Sequence, residues 1–264
     1  MGRLEDKVAM VTGSSRGIGE GIARVMAREG AVVVLTARGN RVHDTAKDIR
    51  DKGYKAVSFK MDITNPDEVN SVVQKVLKQF GKIDILVNNA GVLKLAALVD
   101  MEDEVRDKMI DVNIKGTFTI TKAVLPSMLK RKYGRIINLS SMTGTLVAAV
   151  GECAYAATKA AIWGFTRALA FEVVKEGITV NAICPGTIET DMVRKVAMET
   201  NPDDPQSVID DLARRIPMGR LGTIEELGEL VAFLASDESK YITGTPILID
   251  GGSTLPEIGI SALV

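Results

Sequence analysis

Two cysteines and one histidine among 264 residues remove several chemistries at the outset. Cys153 and Cys184 are too few for a disulfide framework and too far apart for a CxxC pair, so a reducing cytoplasmic setting is the expected one. His43 stands alone in a polar stretch, which leaves almost nothing from which to build a Ser-His-Asp triad or a histidine-rich centre; no metal site is expected. Charge of either sign is not in excess. The 33 Lys and Arg against 34 Asp and Glu give a net charge of −1, which argues against a nucleic acid or an anionic membrane as the main partner. No apolar run has the length of a membrane span. The start carries Glu5 and Asp6 and leads into a short β-branched run, unlike a signal peptide, and Asp6 stands where a myristoylation pattern requires Ser or Thr. A soluble protein is expected. Aromatic residues supply 4% of the chain, so Val, Ile, Leu and Ala carry most of its 46% hydrophobic content, which suits a sheet buried on both faces under helices.

Short β-branched runs alternate with helical periodicity almost to the end. Strands are predicted at 8–12, 31–36, 57–59, 83–87, 135–139, 178–183 and 247–249. Ile18, Ile22, Val25 and Met26 recur at helical steps until Gly30, and a polar helix follows over about 41–52. Asn65-Pro66-Asp67-Glu68 reads as an N-cap, a proline at the first helical position and acids in the first turn of a helix that ends at Gly81. Long helical stretches are predicted at about 102–131 and 153–175. This alternation predicts a doubly wound α/β (Rossmann) parallel sheet of about seven strands with helices on both faces. With no repeat or linker, residues 1–264 read as one domain. Residues 187–218 interrupt the last crossover beyond a strand's carboxyl end, where an insertion lies over the ligand crevice; it is either a substrate lid or a rigid surface excursion.

Where the first strand passes into the first helix stands Thr12-Gly13-Ser14-Ser15-Arg16-Gly17-Ile18-Gly19. Gly13 permits the tight turn, Gly17 lets backbone approach a pyrophosphate, and Gly19 allows close helix packing. The helix N-terminus adds free N–H groups and partial positive charge. The spacing is GxxxGxG. It is joined by Asn88-Asn89-Ala90-Gly91, Asn113, Ser140-Ser141, Tyr155-Ala156-Ala157-Thr158-Lys159 and Pro185-Gly186, in that order on the expected elements. On these motifs the chain resembles the single-domain branch of the short-chain dehydrogenase/reductase family over essentially its whole length. Gly251-Gly252-Ser253-Thr254-Leu255-Pro256-Glu257 draws the likeness towards one bacterial oxidoreductase group.

Tyr155 and Lys159 are four residues apart and share one helix face. A phenol ordinarily titrates near 10, and an ammonium within a few ångströms favours the phenolate. Such a pair is by itself an ordinary helix-surface pair, and a Ser-Ser at a strand end is ordinary turn chemistry; their joint occurrence after a dinucleotide turn gives them weight. The resemblance implies that Tyr155 is the general acid/base, that Lys159 lowers its pKa and bonds the nicotinamide ribose, that Ser141 holds the substrate oxygen, and that Asn113 positions a water in a proton relay. In most of the family the serine precedes the tyrosine by thirteen residues, which here lands on Met142, a side chain that donates no hydrogen bond. Ser141, fourteen before, keeps its place at the strand end; Thr143 is the alternative. The implied reaction is hydride transfer between a nicotinamide cofactor and a carbonyl or alcohol substrate.

At the end of the second strand an NAD enzyme places an acid on the ribose 2′-hydroxyl. This chain has Ala37 there, followed by Arg38, with Arg16 in the glycine turn. Two guanidiniums suit a 2′-phosphate, so NADP is expected over NAD, although either arginine alone also reads as a solvated charge. Asp62 with Ile63 resembles the adenine contact, and Asp62 also reads as a cap for the 66–80 helix. Ser15, Ile18, Asn89, Ala90, Gly91, Pro185, Gly186, Ile188 and Thr190 complete the cofactor-binding set that the resemblance implies. It implies a homotetramer as well, in keeping with the apolar faces of the two long helices. Two other functions stay open: a 3-oxoacyl-carrier-protein reductase, for which Arg131-Lys132 is a faint candidate for the basic patch, and a non-catalytic nucleotide sensor.

Overall fold

Seven parallel strands lie in the order β3-β2-β1-β4-β5-β6-β7 in the computed structural model, which describes residues 2–255. Pro256 and Glu257 of the 251–257 segment lie outside the described residues. The strands are β1 (Val8–Thr12), β2 (Val32–Ala37), β3 (Ala56–Lys60), β4 (Ile85–Asn88), β5 (Gly134–Leu139), β6 (Ile178–Pro185) and β7 (Pro246–Ile249). β1, β4, β5 and β6 are buried at every position, as the unbroken apolar runs predict. Alternate side chains of β1 enter opposite layers. Ala9 and Val11 join Ile22, Met26 and Val231 on one face, while Val8 and Met10 join Val73, Ile120 and Leu169 on the other.

The first layer is built from α1 (Gly17–Arg28), α2 (Arg41–Asp51) and α9 (Ile224–Ala235), the second from α3 (Pro66–Phe80), α5 (Thr117–Arg131) and α6 (Cys153–Val173). α3 follows the predicted bounds because its ends are chemically marked. Asn65 accepts from the Asp67 and Glu68 amides, Pro66 opens the helix, and Gly81 closes it in the left-handed conformation. The crossover from β1 to β2 winds to one side and that from β4 to β5 to the other, so the winding reverses between β1 and β4. A crevice opens outside the carboxyl ends of those two strands.

One long stretch differs from expectation. The predicted helix at 102–131 is α4 (Asp103–Met109), a wide π-helical turn (Ile110–Gly116), then α5. A Cβ on Gly116 would stand 2.8 Å from Ile63, and the Asn113 side chain is drawn onto the backbone of Val92. Periodicity does not register a single extra residue in a turn. The insertion at 187–218 contains α7 (Asp191–Thr200) and α8 (Pro205–Arg214), and α9 begins behind it on a reciprocal Thr223–Glu226 capping box.

Candidate active site

Because all strands run parallel, the segments after β1, β4, β5 and β6 meet at one edge of the sheet. The glycine turn is fixed there by small hydroxyls. Ser14 donates its hydroxyl to Val11 O and receives the Thr36 amide at 3.0 Å, which ties the turn to the end of β2. Thr45 donates to Ser15 O at 3.3 Å. The Thr12 hydroxyl accepts the amides of Asn89 and Ala90, each at 3.0 Å, and so couples the turn to the segment after β4. Thr12 and Ser14 are functional scaffold that the motif reading passed over, although both lie within or beside it.

A Cβ at Gly17 would meet nothing within 4 Å, and its φ is +58°, so the backbone here faces open space. Gly19 has another role: a Cβ would lie 2.4 Å from Asn89 Nδ2 and 2.5 Å from Gly13 O. That glycine lets the helix meet the neighbouring loop rather than the sheet as such, and Asn89 Nδ2 donates to Thr12 O at 2.9 Å across the gap. Arg16, the residue before α1, makes no side-chain cap, leaving the first amides of the helix for another acceptor. Ile18 packs partly into the core below.

Arg38 follows β2 exposed, as Arg16 is. Its charge bears on Asp62: burial works to raise that carboxyl, but hydrogen bonds from Thr64 and the Arg38 guanidinium hold it below the usual range. Asp62 receives the Thr64 amide at 2.9 Å and its hydroxyl at 2.7 Å, and Asn65 instead caps α3. Ile63 is buried against Gly116. Beyond β6, Gly186 donates to Ile249 O, Pro185 O accepts from Met142 N, buried Ile188 bridges to Gly222, and Thr190 caps α7.

Ser140 and Ser141 part ways after β5. Ser140 is buried and donates to Lys159 O at 2.8 Å, while the Ser141 hydroxyl faces Tyr155. Thr143 is buried, its amide donating to Ser141 Oγ at 3.2 Å. The loop turns at Met142, whose carbonyl accepts from the amides of Thr145, Leu146 and Val147. Lys159 is buried, and a Cβ on Gly91 would touch both its Nζ, at 3.8 Å, and Asn113 Oδ1, at 3.4 Å. Those three residues therefore converge.

Their detailed contacts differ from the expected relay. Lys159 Nζ donates to Leu139 O at 2.7 Å and lies 5.6 Å from the centre of the Tyr155 ring. Burial lowers this lysine to about 8, with Cys184 acting weakly the other way. The Tyr155 phenol is raised, not lowered: burial is the main cause, the Ser141 hydroxyl opposes it, and the Glu152 charge adds to it. Asn113 spends its amide within the protein, accepting from Val92 N at 2.8 Å and donating to Val92 O and Thr158 Oγ1, each at 3.0 Å. It joins α6, the wide turn and the segment after β4. Arg131, by contrast, is at the opposite edge, bound to buried Asp84 at 2.6 Å, and borders no part of this crevice.

Comparison with known proteins agrees with this geometry. Residues 13–254 match a family model described as enoyl-(acyl carrier protein) reductase. Oxidoreductase UcpA of Salmonella typhimurium is 52% identical, with 97% of this chain and 98% of that protein covered. The chain is a short-chain dehydrogenase/reductase. Within the family it is also 42% identical to the 3-oxoacyl-[acyl-carrier-protein] reductase FabG of Escherichia coli K12, covering 94% of this chain and 98% of that one. Among solved structures, L-sorbose reductase of Gluconobacter frateurii, in complex with NADPH and L-sorbose, superposes with a TM-score of 0.92 at 34% identity over 97% of this chain and 99% of that one. This short-chain dehydrogenase/reductase is accordingly an oxidoreductase. Among its described residues no helix is long and apolar enough to cross a membrane.

Proposed function

We propose that this enzyme moves a hydride between NADP(H) and a carbonyl or secondary-alcohol substrate, with Tyr155 as general acid/base assisted by Ser141, Lys159 and Asn113. The observation that carries the reading is the meeting of the Tyr155 phenol, the Ser141 hydroxyl and a buried lysine beside an open glycine turn. When bound, the dinucleotide supplies or accepts the hydride at the substrate carbon. In the reducing direction Ser141 donates to the carbonyl oxygen, and Tyr155 delivers the proton that oxygen needs as it becomes a hydroxyl. Lys159, lowered by burial to about 8, takes and releases protons within about a unit of neutral pH. Asn113 keeps the segment after β4 and the Tyr155 helix in register.

Residues 13–19, with Asn89, Ala90 and Gly91, are the pyrophosphate and ribose cradle in this proposal, and Pro185, Gly186, Ile188 and Thr190 border the nicotinamide. Arg16 and Arg38, both exposed, with no acid at Ala37, suit the 2′-phosphate of NADP. The NADPH complex of the sorbose reductase supports that choice. The whole chain acts as a single catalytic domain in this reading, with α7 and α8 covering the substrate and a cytoplasmic setting. Exposed Phe118 and Phe171, on α5 and α6, favour those helices as contact surfaces of a homotetramer.

Tyr155→Phe tests the reading. It should lower turnover of a carbonyl panel by about 10²–10⁴-fold while NADPH binding, followed by fluorescence titration, is retained. Unchanged turnover overturns the assignment of Tyr155; NADPH binding with no oxidoreduction of any carbonyl or alcohol by the unaltered enzyme favours a nucleotide sensor.

A further inference from the structure

Ser141 and Tyr155 are fourteen residues apart in sequence, and the loop between them folds back so that the two hydroxyls face each other. The loop closes on itself first. Met142 O gathers the amides of Thr145, Leu146 and Val147, and Gly144 N donates to Val147 O at 2.9 Å. It is then fastened to its surroundings. Gly144 has φ +81°, and a Cβ there would overlap Ala156 O, so the loop lies directly on the first turn of α6, one residue from Tyr155. Met142 N, donating to Pro185 O at 3.1 Å, ties the same turn to the end of β6.

Within this turn one hydroxyl makes two contacts. Thr145 Oγ1 donates to Ser141 O, the carbonyl of the residue whose hydroxyl faces the phenol. The same oxygen lies 3.7 Å from Cys184 Sγ. A threonine hydroxyl has one hydrogen, and Ser141 O takes it, so the thiol is the donor in the contact with sulfur. Cys184 suits that role. It is fully buried on the face of β6 that it shares with Ile178 and Val180, turned towards the α6 layer. Burial pushes its thiol up, so the S–H is retained. A chain of contacts therefore runs from the Cys184 thiol through the Thr145 hydroxyl to the Ser141 carbonyl. On the other side the Thr143 amide donates to Ser141 Oγ at 3.2 Å.

We propose that Thr145 is a positioning residue: its hydroxyl, seated on the Cys184 thiol, holds the Ser141 carbonyl and so keeps the Ser141 hydroxyl aimed at the substrate oxygen beside Tyr155. The proposal rests on the oxidoreductase reading above, and on Ser141 in particular. A donor to a developing oxyanion works only at hydrogen-bond distance from it, so a serine that drifts costs turnover more than binding.

A double-mutant cycle with Ser141→Ala tests the proposal, with NADPH and the fastest-reduced member of the carbonyl panel followed at the nicotinamide absorbance. Thr145→Val keeps the branched shape and removes the hydroxyl. It should lower kcat by about 10–10²-fold and change KM by less than about threefold. Thr145→Ser, which restores the hydroxyl, should recover most of the loss. In the Ser141→Ala background no hydroxyl is left to aim, and Thr145→Val should cost less than about twofold. Cys184→Ala should show the same dependence on Ser141 with a loss of roughly three- to tenfold. It carries the test should thermal unfolding show that Thr145→Val does not fold. A merely structural role lowers kcat by the same factor in both backgrounds, and that result overturns the proposal. So does an unchanged kcat in Thr145→Val, or a Thr145→Ser form as impaired as the valine form. Turnover unaffected by Ser141→Ala overturns it together with the assignment of Ser141, while Tyr155 and hydride transfer stand. Absence of any NADPH-dependent turnover in the unaltered enzyme removes the oxidoreductase reading and the proposal with it.

Discussion

Lys159 offers the most quantitative check on the site, because its surroundings make folding depend on pH in a defined window. Folded, the lysine titrates at about 8 instead of 10.5, burial being the main cause. Between those values the unfolded chain holds a proton that the folded chain has released, so the unfolded state binds more protons and stability rises with pH. The gain is absent below about pH 8, where both states are protonated and the folded protein carries a desolvated ammonium. It is complete above about 10.5, where both states are neutral. A displacement of that size corresponds to roughly 3 kcal/mol. For a chain of this length it becomes roughly 6–12 °C in Tm. The perturbation is Lys159→Met, which removes the titrating group while keeping a long unbranched side chain. Thermal unfolding of both proteins without dinucleotide, at pH 7.5 and pH 10 and equal ionic strength, gives a difference of differences in which the other titrating groups cancel. Between those two pH values the unaltered protein should gain on the variant by about two thirds of that full amount, roughly 4–8 °C. A Tm difference that stays constant, or moves the other way, refutes the placement of Lys159 as a desolvated ammonium held on Leu139 O.

Two further outcomes test the neighbouring parts of the site. Arg38→Ala and Arg16→Ala should each lower the preference for NADPH over NADH by about tenfold, the lower end for a charge-assisted hydrogen bond because both arginines are exposed; parallel kcat/KM measurements with the two cofactors check this, and an unchanged ratio removes these residues from the 2′-phosphate. Ser141→Ala should reduce kcat by roughly 10²–10³-fold, as for loss of one donor to a developing oxyanion, and Thr143→Ala by less than about threefold; the reverse order would show that the loop residue, not the strand-end serine, holds the substrate oxygen.

The fold was legible because its elements are bounded by chemistry that acts locally. β-Branched runs buried on both faces marked the central strands, and Asn65, Pro66 and Gly81 marked both ends of α3 through a cap, a preset φ and a left-handed stop. The break at Ile110–Gly116 was not legible, since it arises from contacts between residues distant in sequence, Gly116 against Ile63 and Asn113 against Val92. Asp62 shows the same limit in miniature. Both it and Asn65 carry an acceptor suited to a helix start, and which one caps is decided by the path of the chain after β3, where Thr64 occupies the aspartate.

Within the site, sequence spacing identifies the residues that share a helix face but not the atom each side chain selects. Tyr155 and Lys159 do share a face, yet the ammonium is anchored on Leu139 O, because a buried ammonium must find an acceptor and the end of β5 presents a carbonyl within reach of four flexible carbons. The phenol is then governed by its burial, by Ser141 and by Glu152. The protonation of the Tyr155 phenol is therefore set by its burial and by the loop between β5 and α6, which supplies both Ser141 and Glu152, and not by the lysine one turn on. That loop is also the segment in which the serine stands one residue further from the tyrosine than in most of the family. A change in its length moves a hydroxyl that favours the phenolate and a carboxylate that opposes it, together and relative to a fixed phenol.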